Sequence, residues 1–407
     1  MQQFMNQLLQ GDSLEVLKTL PDNCVDSCVT DPPYGLSKEP NISEVLTKWL
    51  AGESYTRRGG GFMGKTWDSF VPSPALWREV YRVMKPGSYI LCFSGTRTQD
   101  LMTVALRLAG FEIRDVIEWL YTSGFPKNMD VGKAFDKRSG AEREKVKIPF
   151  TGDALFRMGG QNTRPWMETA LQQGFHEVAG NKPVTDLAKK WDGWGTALKP
   201  AHEPIILARK PLSGSVCDTL EVYGTGAINV DGCRIPTDDK LAEGMINDNM
   251  PERCKQQIEK SKEMGRFPAN CVTEELEEWY SKYFNVTPQE LSKKATKADR
   301  NSDWKGNLIH LEPRLTYSNA GCGVQNSKLQ PNGTERTPIK YANFHPTVKP
   351  VGLIQWLIRL VTPPGGIVLD PFGGSGTTGA AARKEGRGFL LIEQNPEYVE
   401  IARARVG

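Results

Sequence analysis

The chain has 407 residues, of which 39% are hydrophobic and 24% charged, and its formal net charge is +3 at pH 7. That balance excludes an intrinsically disordered chain and leaves room for a large buried core. No apolar run approaches the roughly 20 residues of a membrane helix, the polar start Met1-Gln-Gln-Phe-Met-Asn-Gln7 lacks the regions of a signal peptide, and the eight cysteines contain no C-x-x-C pair. A reduced, cytoplasmic protein without structural zinc is expected. The mild positive charge permits nucleic-acid binding through local patches but does not argue for it.

In chain order, Leu14, Leu17 and Leu20 recur at helical spacing behind Asp12. Asp12 with Glu15 has the spacing of a capping box, so Asp12 reads first as an N-cap. Residues 25–30 read as a buried strand that runs into Asp31-Pro32-Pro33-Tyr34. The two prolines end the strand and fix φ at successive residues, which holds the Asp31 side chain, the Pro32 carbonyl and the Tyr34 ring in one constellation. It sits at the C-terminal edge of the strand, where open α/β sheets bind ligands.

That constellation suits the exocyclic amino group of a nucleobase, a poor nucleophile because its lone pair is delocalised into the ring. The Asp31 carboxylate and the Pro32 carbonyl can accept from both N–H groups and turn the lone pair toward an electrophilic methyl. The Tyr34 ring can stack on the base, a contact worth about 1–3 kcal/mol. Read without this chemistry, the four residues are a turn.

Residues 35–71 are glycine-rich, basic and aromatic with no sustained period, and are read as a loop. Arg57, Arg58 and Lys65 there are candidates for phosphate contacts, and Phe62 for filling the space left by an extruded base. Regular α/β structure then resumes, with a helix at 74–84, a strand at 87–93, a helix at 98–108 and a strand at 111–121. Ser94, Gly95 and Arg97 read as a connecting loop. Residues 124–199 are rich in Gly, Lys, Arg and Trp and poor in strand signals. Residues 202–210 read as a strand returning to the sheet, and residues 212–341 are again irregular.

Near the C-terminal end, Pro350 opens a helix at 351–361 and residues 367–369 form a short strand ending on Asp370. Gly373, Gly374 and Gly376 follow in a tight turn, then a helix from about Thr378 to Gly386, then a strand at 388–392 ending on Glu393. Gly374, Gly376 and Gly379 match G-x-G-x-x-G, and Glu393 stands where a ribose-binding acid belongs. Little chain follows Glu393, so the sheet must be completed by strands from the N-terminal part. The fold is entered in permuted order.

Asp31-Pro-Pro-Tyr34, followed far downstream by Asp370-Pro-Phe-Gly-Gly-Ser-Gly-Thr-Thr378, resembles the beta class of amino-group DNA methyltransferases. His345-Pro-Thr-Val-Lys-Pro350 is similar to an H-P-x-x-K-P element that precedes the glycine motif there, and residues 193–204 and 265–270 resemble phage and prophage-type members. The resemblance implies an α/β fold, a circularly permuted Rossmann-like sheet, mostly parallel with an antiparallel edge strand. It implies S-adenosylmethionine as cofactor and methyl transfer to an amino group of a flipped-out base in double-stranded DNA. Asp at the first tetrad position is the pattern of N6-adenine members; N4-cytosine is the second reading. Catalytic roles then fall on Asp31, Pro32, Pro33 and Tyr34. The methionine moiety falls near Lys349, Asp370 and Phe372, the ribose at Glu393 and the adenine near Asp12, with Gly374, Gly376 and Thr377 in the binding turn.

The expected organisation is a first part of the catalytic core at 1–121, an insertion with DNA contacts at 122–200 and a returning core strand at 201–211. A target-recognition region at 212–340 and the cofactor-binding part of the core at 341–407 follow. Candidate partners besides DNA are a second copy of the chain and a separate restriction endonuclease. A dinucleotide-dependent oxidoreductase is the remote alternative, since it leaves the tetrad and the permuted order unexplained.

Overall fold

The structure, a computed structural model, describes residues 4–36, 40–55, 69–121, 128–149, 169–170, 172–235, 250–273 and 348–407. They fall into two units, residues 1–123 together with 201–407, and residues 124–200.

The first unit starts with strand β1 (Gln7–Gln10), helix α1 (Ser13–Lys18) and strand β2 (Val25–Thr30). Helices α2 (Ile42–Leu50) and α3 (Pro74–Val83), strand β3 (Met84–Phe93), helix α4 (Gln99–Leu108) and strand β4 (Glu112–Leu120) follow. The second unit holds helix α5 (Val131–Ser139), an antiparallel pair β5 (Lys145–Pro149) and β6 (Phe175–Ala179), and helix α6 (Asp186–Lys190). Its hub is the buried carboxylate of Asp136, which accepts from Arg143 Nε at 2.6 Å and from the Thr185 amide at 2.9 Å. The chain re-enters the first unit with β7 (His202–Arg209), α7 (Val216–Tyr223), α8 (Glu252–Met264) and β8 (Cys271–Thr273). It ends in α9 (Val351–Val361), β9 (Ile367–Asp370), α10 (Thr377–Lys384), β10 (Gly388–Glu393) and α11 (Pro396–Val406).

Among the described residues the sheet of the first unit has eight strands in the order β1-β10-β9-β2-β3-β7-β4-β8. The C-terminal strand β9 pairs in parallel with β2, Cys28 opposite Leu369, so the last strands complete a sheet begun by the first ones. Successive residues of the central strands face opposite layers. Ile90 and Cys92 join one core cluster with Trp77 of α3 and Met102 of α4, while Leu91 and Phe93 join another with Leu353, Ile354 and Leu357 of α9. Central strands covered by helices on both faces are apolar on both faces, and β2 is buried at all six residues.

Three expectations need correction. The antiparallel strand β7 lies between β3 and β4, not at an edge. Its last six residues are all buried, as a strand covered on both faces and paired on both sides must be. Beyond β4 lies β8, parallel to it, from a stretch read as irregular. Within residues 35–71, α2 forms behind the N-cap Asn41 and buries only Val45 and Trp49, too few positions to make a visible period. After Glu393, Asn395 caps α11, Pro396 starts it, and its inner face is buried.

Candidate active site

The parallel strands β2, β9 and β10 end on one edge, and the residues singled out above gather there. Beyond Thr30, the last residue of β2, the two prolines release the chain from the sheet, and Tyr34 turns back so that its hydroxyl donates to Asp31 Oδ1 at 2.7 Å. The loop after β3 holds this turn from below. Thr98 Oγ1 donates to the Tyr34 carbonyl at 2.7 Å and Arg97 Nη2 to the Leu36 carbonyl at 2.7 Å. A Cβ on Gly95 would stand 2.7 Å from Leu36 Cδ2. The loop of Ser94, Gly95 and Arg97, read from sequence as a plain connection, is therefore, with Thr98, a support of the tetrad.

Lys349, just before α9, brings its ammonium to the same place. Its Nζ lies 2.5 Å from Asp31 Oδ2, 3.2 Å from the Tyr34 hydroxyl and 3.4 Å from Glu203 Oε2, and 4.8 Å from the centre of the Phe93 ring. Burial lowers the ammonium's pKa, but the Asp31 and Glu203 carboxylates outweigh it, and the group ends above its ordinary value and stays charged. Burial also pushes the Tyr34 phenol well up, with Asp31 and Glu203 adding to the effect, so its hydroxyl remains a donor. Lys349 was expected near the methionine moiety of the donor; the structure matches it with two carboxylates of the chain.

Glu203 carried no role in the sequence reading beyond the similarity of residues 193–204 to phage-type members. Topology explains why. Because β7 runs against its neighbours, its first residues, not its last, stand at the edge where the parallel strands end; Glu203 is paired with Trp119 near the end of β4. A search of strand C-termini passes over it.

On the other side of β2 lies the glycine turn. Asp370 is buried, and both its oxygens are engaged: Oδ1 accepts from Thr30 Oγ1 at 2.8 Å and from the Phe372 amide at 3.0 Å, and Oδ2 from Thr378 Oγ1 at 2.6 Å. It ties the end of β2 to both sides of the turn. Gly374, at φ +49°, donates its amide to Glu393 Oε2 at 2.8 Å, and Gly376, at φ +77°, caps α10 in the left-handed region. A Cβ on Gly376 would lie 3.0 Å from Ala402 Cα, so glycine is needed for the turn and for the approach of α11. Thr377 Oγ1 accepts from the buried Arg405 of α11, which sequence reasoning missed. The partly buried Phe372 ring leans on Trp77.

Asp12 and Glu393 stand on adjacent strand ends, Gln10 being opposite Glu393 and the Gly11 amide donating to the Glu393 carbonyl at 3.0 Å. Asp12 is the N-cap of α1, its Oδ1 accepting from Leu14 and Glu15 amides, while Glu15 turns to Lys18 instead of completing a capping box. Burial pushes the Glu393 carboxyl up against the pull of the Asn395 and Gly374 amides. Arg57, Arg58, Phe62 and Lys65, with His345 to Thr347, lie outside the described residues.

Burial pushes the Asp370 carboxyl up to about 6, against the three donors it accepts from and with Asp31 adding a little. An acid whose folded pKa exceeds the unfolded 3.8 holds a proton in the folded state that the unfolded chain has lost. Its contribution to stability therefore falls as pH rises from about 4 to 6, by on the order of 3 kcal/mol. Carbon-13 NMR of labelled aspartate should find this side chain titrating near pH 6 and missing from Asp370→Asn; titration at or below 4 would contradict the assignment.

A family model described as DNA methylase, of the N6/N4 type, matches residues 25–404. The chain belongs to the N6/N4 DNA methylase family. Among curated relatives, the methylase is 23% identical to the type II methyltransferase M.HindIII of Haemophilus influenzae, over 98% of this chain and 94% of that one. A segment covering 16% of the chain is 48% identical to 25% of the type II methyltransferase M2.DpnII of Streptococcus pneumoniae. Similar solved structures include an M1.HpyAVI complex with S-adenosylmethionine (14% identity, TM-score 0.39, 98% of both chains). Another is the PvuII DNA methyltransferase, cytosine-N4-specific (14% identity, TM-score 0.42, 98% of this chain and 85% of that one).

The protein is thus a DNA methyltransferase, and the methyl donor of the family is S-adenosylmethionine. The chemistry of the donor-side residues fits that molecule. Asp12 and Glu393 offer carboxylate lone pairs to hydroxyl and amino groups, Phe372 offers an apolar ring, and Gly374 and Gly376 bring no side chain of their own to the turn.

Proposed function

We propose that this methyltransferase acts on the exocyclic N6 amino group of adenine in double-stranded DNA, the target base being turned out of the duplex. The observation that carries the reading is Asp31, an acceptor carboxylate beside the Tyr34 ring, one strand away from the glycine turn that follows Asp370. Asp12, Glu393, Phe372 and the turn at Gly374 to Thr377 hold the donor, which supplies an electrophilic methyl on a sulfonium. Asp31 and the Pro32 carbonyl take hydrogen bonds from the amino group and aim its lone pair; Tyr34 stacks on the base. As the N–C bond forms, the S–C bond breaks and its electron pair stays on sulfur. The nitrogen becomes cationic and gives up one proton, for which the Asp31 carboxylate is the adjacent acceptor. No covalent intermediate with the chain is needed.

Residues 122–200 and 212–340, with Arg57, Arg58 and Lys65, are the segments we assign to DNA contacts and target choice. The names of the curated relatives as type II methyltransferases support a role beside a separately encoded endonuclease. Incubation with labelled S-adenosylmethionine and duplex DNA of diverse sequence, then nucleoside analysis, is expected to place label in N6-methyladenine. Label in N4-methylcytosine would overturn the base assignment, and no label in any nucleoside would overturn the activity.

A further inference from the structure

Both oxygens of Asp31 already carry donors of the chain itself, the Tyr34 hydroxyl at 2.7 Å and the Lys349 ammonium at 2.5 Å. A base amino N–H that reaches Asp31 competes with these two donors for the same two oxygens and weakens at least one of them. Release is costly if the donor is left alone, because the Lys349 side chain is only 10% exposed, and an unpaired buried ammonium costs several kcal/mol. Glu203 removes that obstacle. Its Oε2 lies 3.4 Å from Lys349 Nζ, less than an ångström farther than Asp31, and 3.1 Å from the Tyr34 hydroxyl. The hydroxyl has one proton, which either carboxylate can accept. Two carboxylates thus share one ammonium and one phenol across a small gap.

We propose that Glu203 is a positioning residue for methyl transfer: it takes over Lys349, and with it the Tyr34 hydroxyl, when the base amino group occupies Asp31. The inference rests on the reading of Asp31 as the acceptor-side carboxylate. Before the base arrives, Lys349 holds the Asp31 carboxylate in place. Once the base is bound, Lys349 and Glu203 form the closer pair. The cluster of two carboxylates and one ammonium then carries a net charge of −1 beside a nitrogen that is becoming positive. Glu203 acts through Lys349 and touches neither the base nor the donor.

The test is a double-mutant cycle on the full chain, reading single-turnover methyl transfer at saturating S-adenosylmethionine and DNA, with donor affinity by calorimetry. Glu203→Gln, which leaves Lys349 with no second carboxylate, is expected to slow transfer at least about tenfold with donor affinity unchanged within about threefold. In a Lys349→Met background the same change should alter the rate less than about twofold, because the group through which Glu203 acts is gone. Glu203→Asp, which keeps the charge, should recover most of the rate. Equal losses in both backgrounds, wild-type transfer by Glu203→Gln, or a loss confined to donor affinity would each overturn the proposal. Should Glu203→Gln not fold, a crystal structure of the wild-type chain with duplex DNA and the unreactive donor analogue sinefungin decides the matter. Lys349 should then be closer to Glu203 than to Asp31, and the reverse order overturns the inference. Wild-type chain that methylates no duplex overturns the functional reading and this inference together; active wild type with an indifferent Glu203 overturns the inference alone.

Discussion

Asp31→Ala is expected to lower single-turnover methyl transfer by about 10³-fold while S-adenosylmethionine still binds. In the proposed mechanism the carboxylate does two things that no neighbour can do in its place. It accepts from the amino group, turning a delocalised lone pair into a directed one, and it faces the positive charge that grows on nitrogen. Groups aimed at developing charge or at a moving proton contribute about 10²–10⁴-fold each. The fold should survive the change, because Lys349 retains Glu203 as a partner and Tyr34 can donate to the same carboxylate. Asp31 is bonded to Tyr34 and Lys349, whereas the turn at Gly374 to Gly376 is held by Glu393 and Arg405. Donor affinity within about threefold of wild type, a thermal midpoint close to wild type and a collapsed rate form the expected pattern. Retained methylation in this variant would remove Asp31 from the chemistry.

Arg405→Met is expected to lower the unfolding free energy by about 3 kcal/mol and to weaken donor binding with it. Arg405 sits on α11, 1% exposed, and its Nη1 lies 2.9 Å from the Ser375 carbonyl, from Ser375 Oγ and from Thr377 Oγ1. Methionine fills much of the same volume but donates nothing. The two hydroxyls, 3.4 Å apart, can turn toward each other, yet the carbonyl is left without this donor in a buried place. A stranded buried acceptor costs about 1–3 kcal/mol, and the lost charge-assisted bonds add to it. The damage falls on the residues between Gly374 and the start of α10, so stability and donor affinity should decline together. Urea denaturation and calorimetry with S-adenosylmethionine measure the two. A stability change below about 0.5 kcal/mol would show that the turn holds itself without α11.

Much of the catalytic core was legible because its signals are local. Asp31-Pro32-Pro33-Tyr34 announces a strand end and a rigid turn through proline geometry alone, and Gly374 and Gly376 announce positive φ and close approach. The buried runs of β2, β3, β7 and β9 mark central strands, and β9 does pair in parallel with β2. Each of these signals follows from steric rules that act within a few residues. What depends on fewer or more distant contacts was not legible. The helix α2 rests on two buried side chains, and β8 is three residues long and exists because the edge of β4 receives it.

The largest gap concerned which side chains meet. Sequence by itself pointed to the Asp31–Tyr34 turn and the glycine turn at one sheet edge, since each follows the C-terminal end of a strand that reads as buried and parallel. Only the tertiary structure decided that Asp31 shares its ammonium with Glu203, because that depends on an antiparallel strand whose start, 169 residues after Tyr34, lands at the edge where its neighbours end. It likewise decided that Asp370 is consumed in holding Thr30 to Thr378, and that α11 sends Arg405 back to the turn. A hydrogen bond is set by ångströms in space, and no rule of spacing along the chain carries that information across an intervening strand.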